Sequence, residues 1–470
     1  MAAGASPREE LQTKTMAEKS IGTHVENGPD ETENGGNEKK NIDQDDDDDD
    51  EEFESIAQGD HEELSTTLCV DQINRRKKKA LLEFRCRVED AILGNYLLGK
   101  QNEFLSRNES IKQREILRET TLWGVPLLPS KAHEGTDIVL LKFLKAKDFK
   151  VHEAFQMLRR ILKWRIEYKT DEILDEKLGP SSDIEQNKVL YFNSRDKEGR
   201  PVCYNVYEAF GDRDFYREAF GSEDKCEEFL RWRIQFIEKG INKLSFKNGG
   251  VHSIVQITDL KNSPGPAMKE LHSVSKKALV LLQENYPELV HKNIVINVPL
   301  WYYAVHIVRS RFLTQKTKRK FVLARPTNVT KTLLKFIAPE NLPVQYGGLK
   351  RESDEDFSTL DEASELKIRG NSTAYIKFPV SEAGSTMVWD FTVVGWEVSY
   401  KEEFIPDDEG SYKILLQNQK RVGESVRNSF YISEPGTIMI TIDNGKYKKK
   451  RVLYRSKAKP TVPMYVLYKN

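Results

Sequence analysis

The sequence has only four cysteines in 470 residues, at positions 69, 86, 203 and 226, and no Cys-x-x-Cys pair among them. Thiols so isolated exclude a disulfide framework and a thiolate zinc site, and suit a reducing compartment. No window supplies the roughly 20 apolar residues of a membrane-spanning helix. The N-terminus lacks the charged-then-apolar run of a secretory signal, so the expectation is a cytoplasmic protein. Catalytic patterns are missing as well. His61, His133 and His152 are each followed by Glu but not by the second histidine that a zinc-protease helix needs, and there is no Gly-x-Ser-x-Gly elbow. Gly94, Gly99 and Lys100 fit a phosphate-binding loop, but Gln101 stands where Ser or Thr would hold magnesium. That segment also continues an amphipathic helix instead of following a strand. The expectations are no enzyme, no metal and no cofactor.

What is present is unevenly distributed. The net charge of -1 sums an acidic segment and a basic remainder. Residues 1–74 are rich in Asp, Glu, Gly, Asn and Ser, carry an unbroken acidic run at 45–52, and have too few apolar residues to offset the entropy of ordering. They read as a disordered acidic arm. A basic body suits an anionic membrane, nucleic acid or acidic protein, and no nucleic-acid module accompanies the basic runs at 75–79 and 446–451. Nucleic acid is therefore not an expected partner.

Residues 75–174 read as a helical subdomain: Leu81, Leu82, Phe84, Val88, Ala91 and Ile92 fit one amphipathic helix, and Phe155, Leu158, Leu162 and Ile166 share a face of another. In residues 175–350, short β-rich runs at 188–193, 202–207, 251–258, 293–298 and 320–323 alternate with helical stretches at 222–244 and 267–286. That alternation predicts an α/β layer with a largely parallel sheet. A polar linker at 351–373 leads to residues 374–470, where strands punctuated by glycine predict an all-β sandwich. Asn444-Gly445 predicts a hairpin turn with a basic tip.

The segment Asp137-Ile-Val-Leu-Leu-Lys-Phe-Leu-Lys-Ala-Lys-Asp-Phe-Lys-Val151 and the helix ending Lys163-Trp164-Arg165 resemble the N-terminal part of CRAL-TRIO lipid-transfer proteins. Asp196-Lys-Glu-Gly-Arg-Pro-Val202, Thr258-Asp-Leu-Lys-Asn262, Gln283-Glu-Asn-Tyr-Pro-Glu288, Ile296-Asn-Val-Pro299 and Pro339-Glu-Asn-Leu-Pro-Val-Gln-Tyr-Gly-Gly348 continue that family's order. Val388-Trp-Asp-Phe391 and Trp396-Glu-Val398 resemble a GOLD domain. An acidic arm, a CRAL-TRIO unit and a GOLD domain in that order resemble plant patellins.

The resemblance implies a non-enzymatic protein that holds a phospholipid as ligand in an apolar pocket. It implies headgroup contacts from Lys147, Glu288, Thr317 and Lys320, and a gate helix carrying Trp301, Tyr302, Tyr303, Ile307 and Phe312. Three positions depart from the pattern. Asp148 replaces a second cation and weakens the headgroup field, and Ile254 and Gln256 replace the polar pair that serves phosphatidylcholine, so phosphatidylcholine exchange is not expected; Lys316, Lys318 and Arg319 add cations that favour more highly phosphorylated inositides. Lys446, Lys448, Lys449, Lys450 and Arg451 form a basic surface for anionic membranes. The implied role is phosphoinositide binding or transfer in membrane trafficking, including cell-plate formation, at the cytoplasmic face of membranes. The alternative is an adaptor that binds trafficking proteins through the GOLD domain and the acidic arm, with the lipid pocket structural.

Overall fold

The computed structural model describes residues 74–99, 107–179, 189–263, 269–300, 302, 315–395, 398–419 and 425–460. The acidic arm and, apart from Tyr302, the five gate residues named above lie outside them. The chain divides into two compact units between Ala363 and Ser364.

The first unit begins with helix α1 (Arg75–Leu93), capped by Asn74, whose Oδ1 accepts from the Lys77 amide at 3.0 Å. That bond satisfies one of the orphan N–H groups at a helix start. The buried face of α1 is Leu81, Phe84, Val88, Ala91 and Ile92, as the three-and-four spacing predicts, with Leu82 left exposed. Helix α2 (Arg107–Arg118), a short hairpin of β1 (Thr121–Leu122) and β2 (Val125–Pro126), α3 (Glu134–Ala146) and α4 (Val151–Tyr168) complete the helical subdomain. Helix α3 is its central element, buried at every position from Gly135 to Leu144 except Asp137. Lys142 therefore lies in the core with no exposure at all.

Strands β3 (Leu190–Arg195), β4 (Pro201–Val206), β5 (Ile254–Asp259), β6 (Val290–Ile296) and β7 (Phe321–Leu323) form one sheet in that order. β3 runs antiparallel to β4 and the remaining pairs are parallel. Parallel neighbours need long crossings. Helices α5 (Arg213–Phe220) and α6 (Glu223–Ile241) lie between β4 and β5, α7 (Lys269–Asn285) between β5 and β6, and α8 (Gln315–Lys320) leads into β7, with α9 (Val329–Phe336) after it. Phe210, Phe215, Phe220, Phe229 and Trp232 pack with Leu190, Cys203, Leu271 and Val274. Helix α6 meets β3 so closely that a Cβ on Gly240 would lie 2.4 Å from Phe192 Cζ.

A buried polar lock joins the helical subdomain to this layer. Arg165 of α4 donates to Glu238 Oε1 of α6 at 2.6 Å, and the Tyr286 hydroxyl donates to the same oxygen at 2.6 Å. All three side chains are buried, and Arg165 donates as well to Asp171 Oδ1 at 2.7 Å. Among the described residues Cys86, Cys203 and Cys226 are free thiols, and burial pushes that of Cys203 up to about 12.

The second unit is a sandwich of two four-stranded antiparallel sheets. β8 (Ser364–Ile368), β9 (Ser372–Val380), β10 (Ser385–Val394), β11 (Ser399–Pro406), β12 (Ile414–Gln419), β13 (Val426–Ile432), β14 (Gly436–Asn444) and β15 (Lys450–Pro460) arrange as β13-β10-β15-β8 and β12-β11-β14-β9. Alternation along β14 buries Ile438, Ile440 and Ile442 against Trp389, Phe391 and Phe404. β8 lies within the stretch that sequence composition reads as linker.

The basic run at 446–451 differs from expectation: β14 and β15 belong to different sheets, so this turn closes no hairpin. Asn444 is fully buried, and its Nδ2 donates to the carbonyls of Arg369 and Lys448, each at 2.9 Å. The Asn-Gly dipeptide thus anchors a crossing from one sheet to the other. Among the described residues no helix is long and apolar enough to cross a membrane.

Replacing Arg165 with Met should leave the Glu238 carboxylate buried without its cation and cost about 3 kcal/mol. Calorimetry of the full chain should show a lower midpoint for one transition; an unchanged thermogram would contradict the lock.

Candidate functional site

Parallel pairing places the starts of β5, β6 and β7 side by side, with Ile254 opposite Val290 and Asn293 opposite Phe321. The residues just before those starts are His252 and Ser253, Tyr286 to Leu289, and α8 with its run Lys316-Thr-Lys-Arg-Lys320. Chemistry-bearing side chains therefore meet at the amino end of the sheet. At its carboxyl end, the Asp259 carboxylate accepts from Asn297 Nδ2 at 2.7 Å, the Lys261 amide at 2.9 Å and the Tyr346 hydroxyl at 3.0 Å. Asp259 is thus engaged in holding loops at that end.

The centre of the amino-end cluster is Glu288. Its residue is held at φ 52, in the left-handed region. Its carboxylate accepts from Lys320 Nζ at 2.8 Å, and its carbonyl accepts from Lys142 Nζ at 2.8 Å. Burial pushes the Lys142 ammonium down to about 7; Lys145 and Lys320 act in the same direction and Glu288 opposes them. His252 and His291 are pushed down to about 3, chiefly by burial and then by surrounding cations: Lys142 and Lys145 for His252, Arg200, Lys292 and Lys320 for His291. Lys292 Nζ donates to the Arg319 carbonyl at 2.6 Å, which brings α8 against β6. Among the described residues the site thus gathers Lys142, Lys145, Lys292, Arg319 and Lys320 near the Glu288 carboxylate and two neutral imidazoles, with Arg200 beside them paired to Asp196 and Glu198. Cations outnumber carboxylates among these described groups, a condition that favours an anion.

Of the four expected headgroup residues, the structure brings Glu288 and Lys320 into direct contact. Lys147 stands outside that pair, half-buried at the C-terminal cap of α3, and is followed by Asp148 and Phe149 in the left-handed region. Thr317 is on α8, and its side chain lies outside the described residues. Sequence reasoning missed Lys142. Its signal was a lone cation inside the apolar run Ile138-Val-Leu-Leu-Lys-Phe-Leu144, where a helix buried all round has no place for an unpaired charge. Tyr302, from the expected gate, packs with Leu260, Val295 and Val298. Trp301, Tyr303, Ile307 and Phe312 lie outside the described residues. The glycine-rich segment at 94–99 follows helix α1, not a strand, and Lys100 is outside the described set.

In the second unit Lys446, Lys448 and Lys449 are exposed, and Tyr447 between them is 91% exposed. Lys450 donates to the Gly395 carbonyl at 2.6 Å, and Arg451 makes a two-pronged pair with Glu365 of β8 at 2.9 and 2.7 Å. The basic run is therefore divided between an outward loop and an inward-bonded strand start.

A helical cap on a mostly parallel sheet, followed by an eight-stranded sandwich, defines a CRAL/TRIO protein with a GOLD domain. Residues 100–160 match the CRAL/TRIO N-terminal domain, 185–348 the CRAL/TRIO domain, and 369–450 the Patellin-1-like C-terminal GOLD domain. The chain belongs to the patellin family. It is 50% identical over 345 residues to Patellin-4 of Arabidopsis thaliana, a match covering 73% of this chain and 62% of that protein. It is 44% identical over 338 residues to Patellin-6 of the same plant, covering 71% and 81%. It is 27% identical over 279 residues to the phosphatidylinositol transfer protein SFH5 of Kluyveromyces lactis, covering 57% and 86%.

The two imidazoles should remain neutral at ordinary pH. Because their folded values lie below the unfolded value of 6.5, the stability they lend is lost as pH falls from about 6.5 toward 3. NMR of the histidine ring protons should show the His252 and His291 signals unmoved between pH 5 and 8; a midpoint near 6.5 for either would contradict their burial.

Proposed function

We propose that this patellin is a non-enzymatic phosphoinositide-binding and lipid-transfer protein that works as a peripheral membrane protein of the cytoplasm in membrane trafficking, including cell-plate formation. The observation that carries the reading is the Glu288–Lys320 pair set among additional cations at the amino end of the sheet. Family membership and the similarity to a protein named for phosphatidylinositol transfer support it.

In this reading the phosphate of the bound lipid takes over Lys320 from Glu288. Lysine serves a phosphate as a compact point charge, and the Thr317 hydroxyl can donate to a phosphate oxygen. Glu288, released from Lys320, is then able to accept from inositol hydroxyls. Lys147 extends the cationic field outward, and Asp148 beside it limits that field. The acyl chains take the apolar pocket that the family resemblance implies. Ile254 and Gln256, where the family's phosphatidylcholine site carries a polar pair, argue against phosphatidylcholine exchange.

The outward loop of the GOLD domain acts separately. Lys446, Lys448 and Lys449 are exposed and each is worth about 1 kcal/mol near an anionic leaflet; Lys450 and Arg451 add to that basic surface while also bonding within the sandwich. Membrane attraction is accordingly electrostatic and screened by salt.

Incubation of the full chain with vesicles containing phosphatidylinositol and phosphatidylcholine, followed by mass spectrometry of the re-isolated protein, should find the inositide loaded. Lys320→Ala should carry roughly tenfold less, the loss of one charge-assisted bond; equal loading would reject the site. Attachment to anionic vesicles should weaken steeply with added salt and on replacing Lys446, Lys448 and Lys449 with Ala. Attachment indifferent to both would remove the loop from the reading.

A further inference from the structure

Lys142 is the least expected side chain in the first unit. Its ammonium has no solvent exposure, and its hydrogen bond goes to a backbone carbonyl, that of Glu288, 146 residues away, at 2.8 Å. An isolated buried ammonium is costly. The groups that face it are Lys145 from its own helix α3, Glu288 from the turn before β6, Lys320 from α8, and His252 from the segment before β5. Glu288 is the one opposite charge among them, and its carboxylate already accepts from Lys320. His252 Nδ1, itself buried, has no hydrogen-bond partner.

A second observation concerns the backbone. Glu288 holds φ 52, a conformation that a residue with a side chain rarely adopts and that persists where its surroundings over-determine it. The preceding Tyr286 is tied to Glu238, and the Leu289 carbonyl accepts from the Ile254 amide at 2.9 Å. The carbonyl of Glu288 itself is fixed by Lys142.

We propose, on the footing of the lipid reading above, that Lys142 is the positioning residue of the headgroup site. Its buried ammonium holds the Glu288 main chain in the left-handed turn that aims the carboxylate at Lys320, and its charge is felt by any phosphate that arrives there. Both consequences follow from geometry. Removing the bond frees the turn and misaims Glu288; removing the charge weakens the field on the phosphate.

The charge carries a pH signature. Burial holds the Lys142 ammonium at about 7, so the free site gives up that proton near neutrality. An anion at Lys320 stabilises the protonated form, and binding is then coupled to proton uptake above that pH. The phosphodiester of phosphatidylinositol does not titrate in this range, and His252 and His291 are held neutral throughout it.

The test measures loading of phosphatidylinositol from mixed vesicles by the full chain at pH 6 and pH 8. The wild type should load about tenfold more tightly at pH 6, the limit for one coupled proton. Lys142→Arg, charged at both values, should lose the pH dependence and keep the tight level; Lys142→Met should lose it and stay weak at both. A Lys142→Met variant with the wild-type profile overturns the proposal. If that variant does not fold, calorimetry of the wild type in buffers of different ionisation enthalpy decides: uptake of protons at pH 8 supports the proposal, and none overturns it. A wild type that loads no phosphatidylinositol at either pH removes the lipid reading as well. Normal loading without pH dependence removes only the role of Lys142.

Discussion

The ammonium of Lys142, 2.8 Å from the carbonyl of Glu288, is where the helical subdomain and the parallel sheet become one site. Helix α3 brings the cation from one side, and the turn before β6 brings the carbonyl and carboxylate from the other. Were α3 an ordinary amphipathic surface helix, its lysines would face water and interact weakly across a screened distance. Burial on all sides removes that option. The charge must be met by protein atoms, and the group that meets it is also the one whose carboxylate engages Lys320.

The Arg165–Glu238–Tyr286 lock stands two residues from the same turn and makes the arrangement rigid. Tyr286 is bonded to Glu238, Glu238 to Arg165, and Arg165 belongs to the helix that follows α3. The family motif Tyr-Pro-Glu therefore combines two tasks in three residues: its tyrosine ties the layers together, and its glutamate sits in the cation-rich site. Other motifs are purely architectural. In Asp-Lys-Glu-Gly-Arg-Pro the Asp196 carboxylate accepts from the Arg200 amide and guanidinium, each at 2.7 Å, which shapes the turn between β3 and β4. Asp259 closes the opposite end of the sheet in the same manner.

The GOLD unit applies the same principle to a different purpose. Two of its buried carboxylates are paired within the sandwich: Glu402 accepts from Trp389 Nε1 at 3.1 Å and from Asn428 Nδ2 at 2.8 Å, and Asp390 accepts from Arg427 and Arg455. Asn444 and the close approach of Gly370 to the Tyr447 carbonyl, where a Cβ would lie 2.0 Å away, hold the basic loop in one shape. The loop's exposed lysines are thus presented by a fixed backbone, which lowers the ordering cost of bringing several cations to one surface.

The sequence by itself determined the periodicities, and with them the elements. The apolar face of α1, the alternation in β14 and the helix-between-strands rhythm of residues 190–323 all follow from local patterning, because side-chain direction repeats every 3.6 residues in a helix and every two in a strand. It also carried the ordered motifs from which Glu288 and Lys320 could be named. Tertiary structure alone decided which charges face one another. Lys142 and Glu288 are 146 residues apart, and no local rule joins a cation in an apolar helix to a carbonyl in a distant turn. It likewise decided that Asn444-Gly445, locally a hairpin signal, carries the chain between sheets, since the partner of a strand is chosen by burial across the whole sandwich and not by the turn that precedes it.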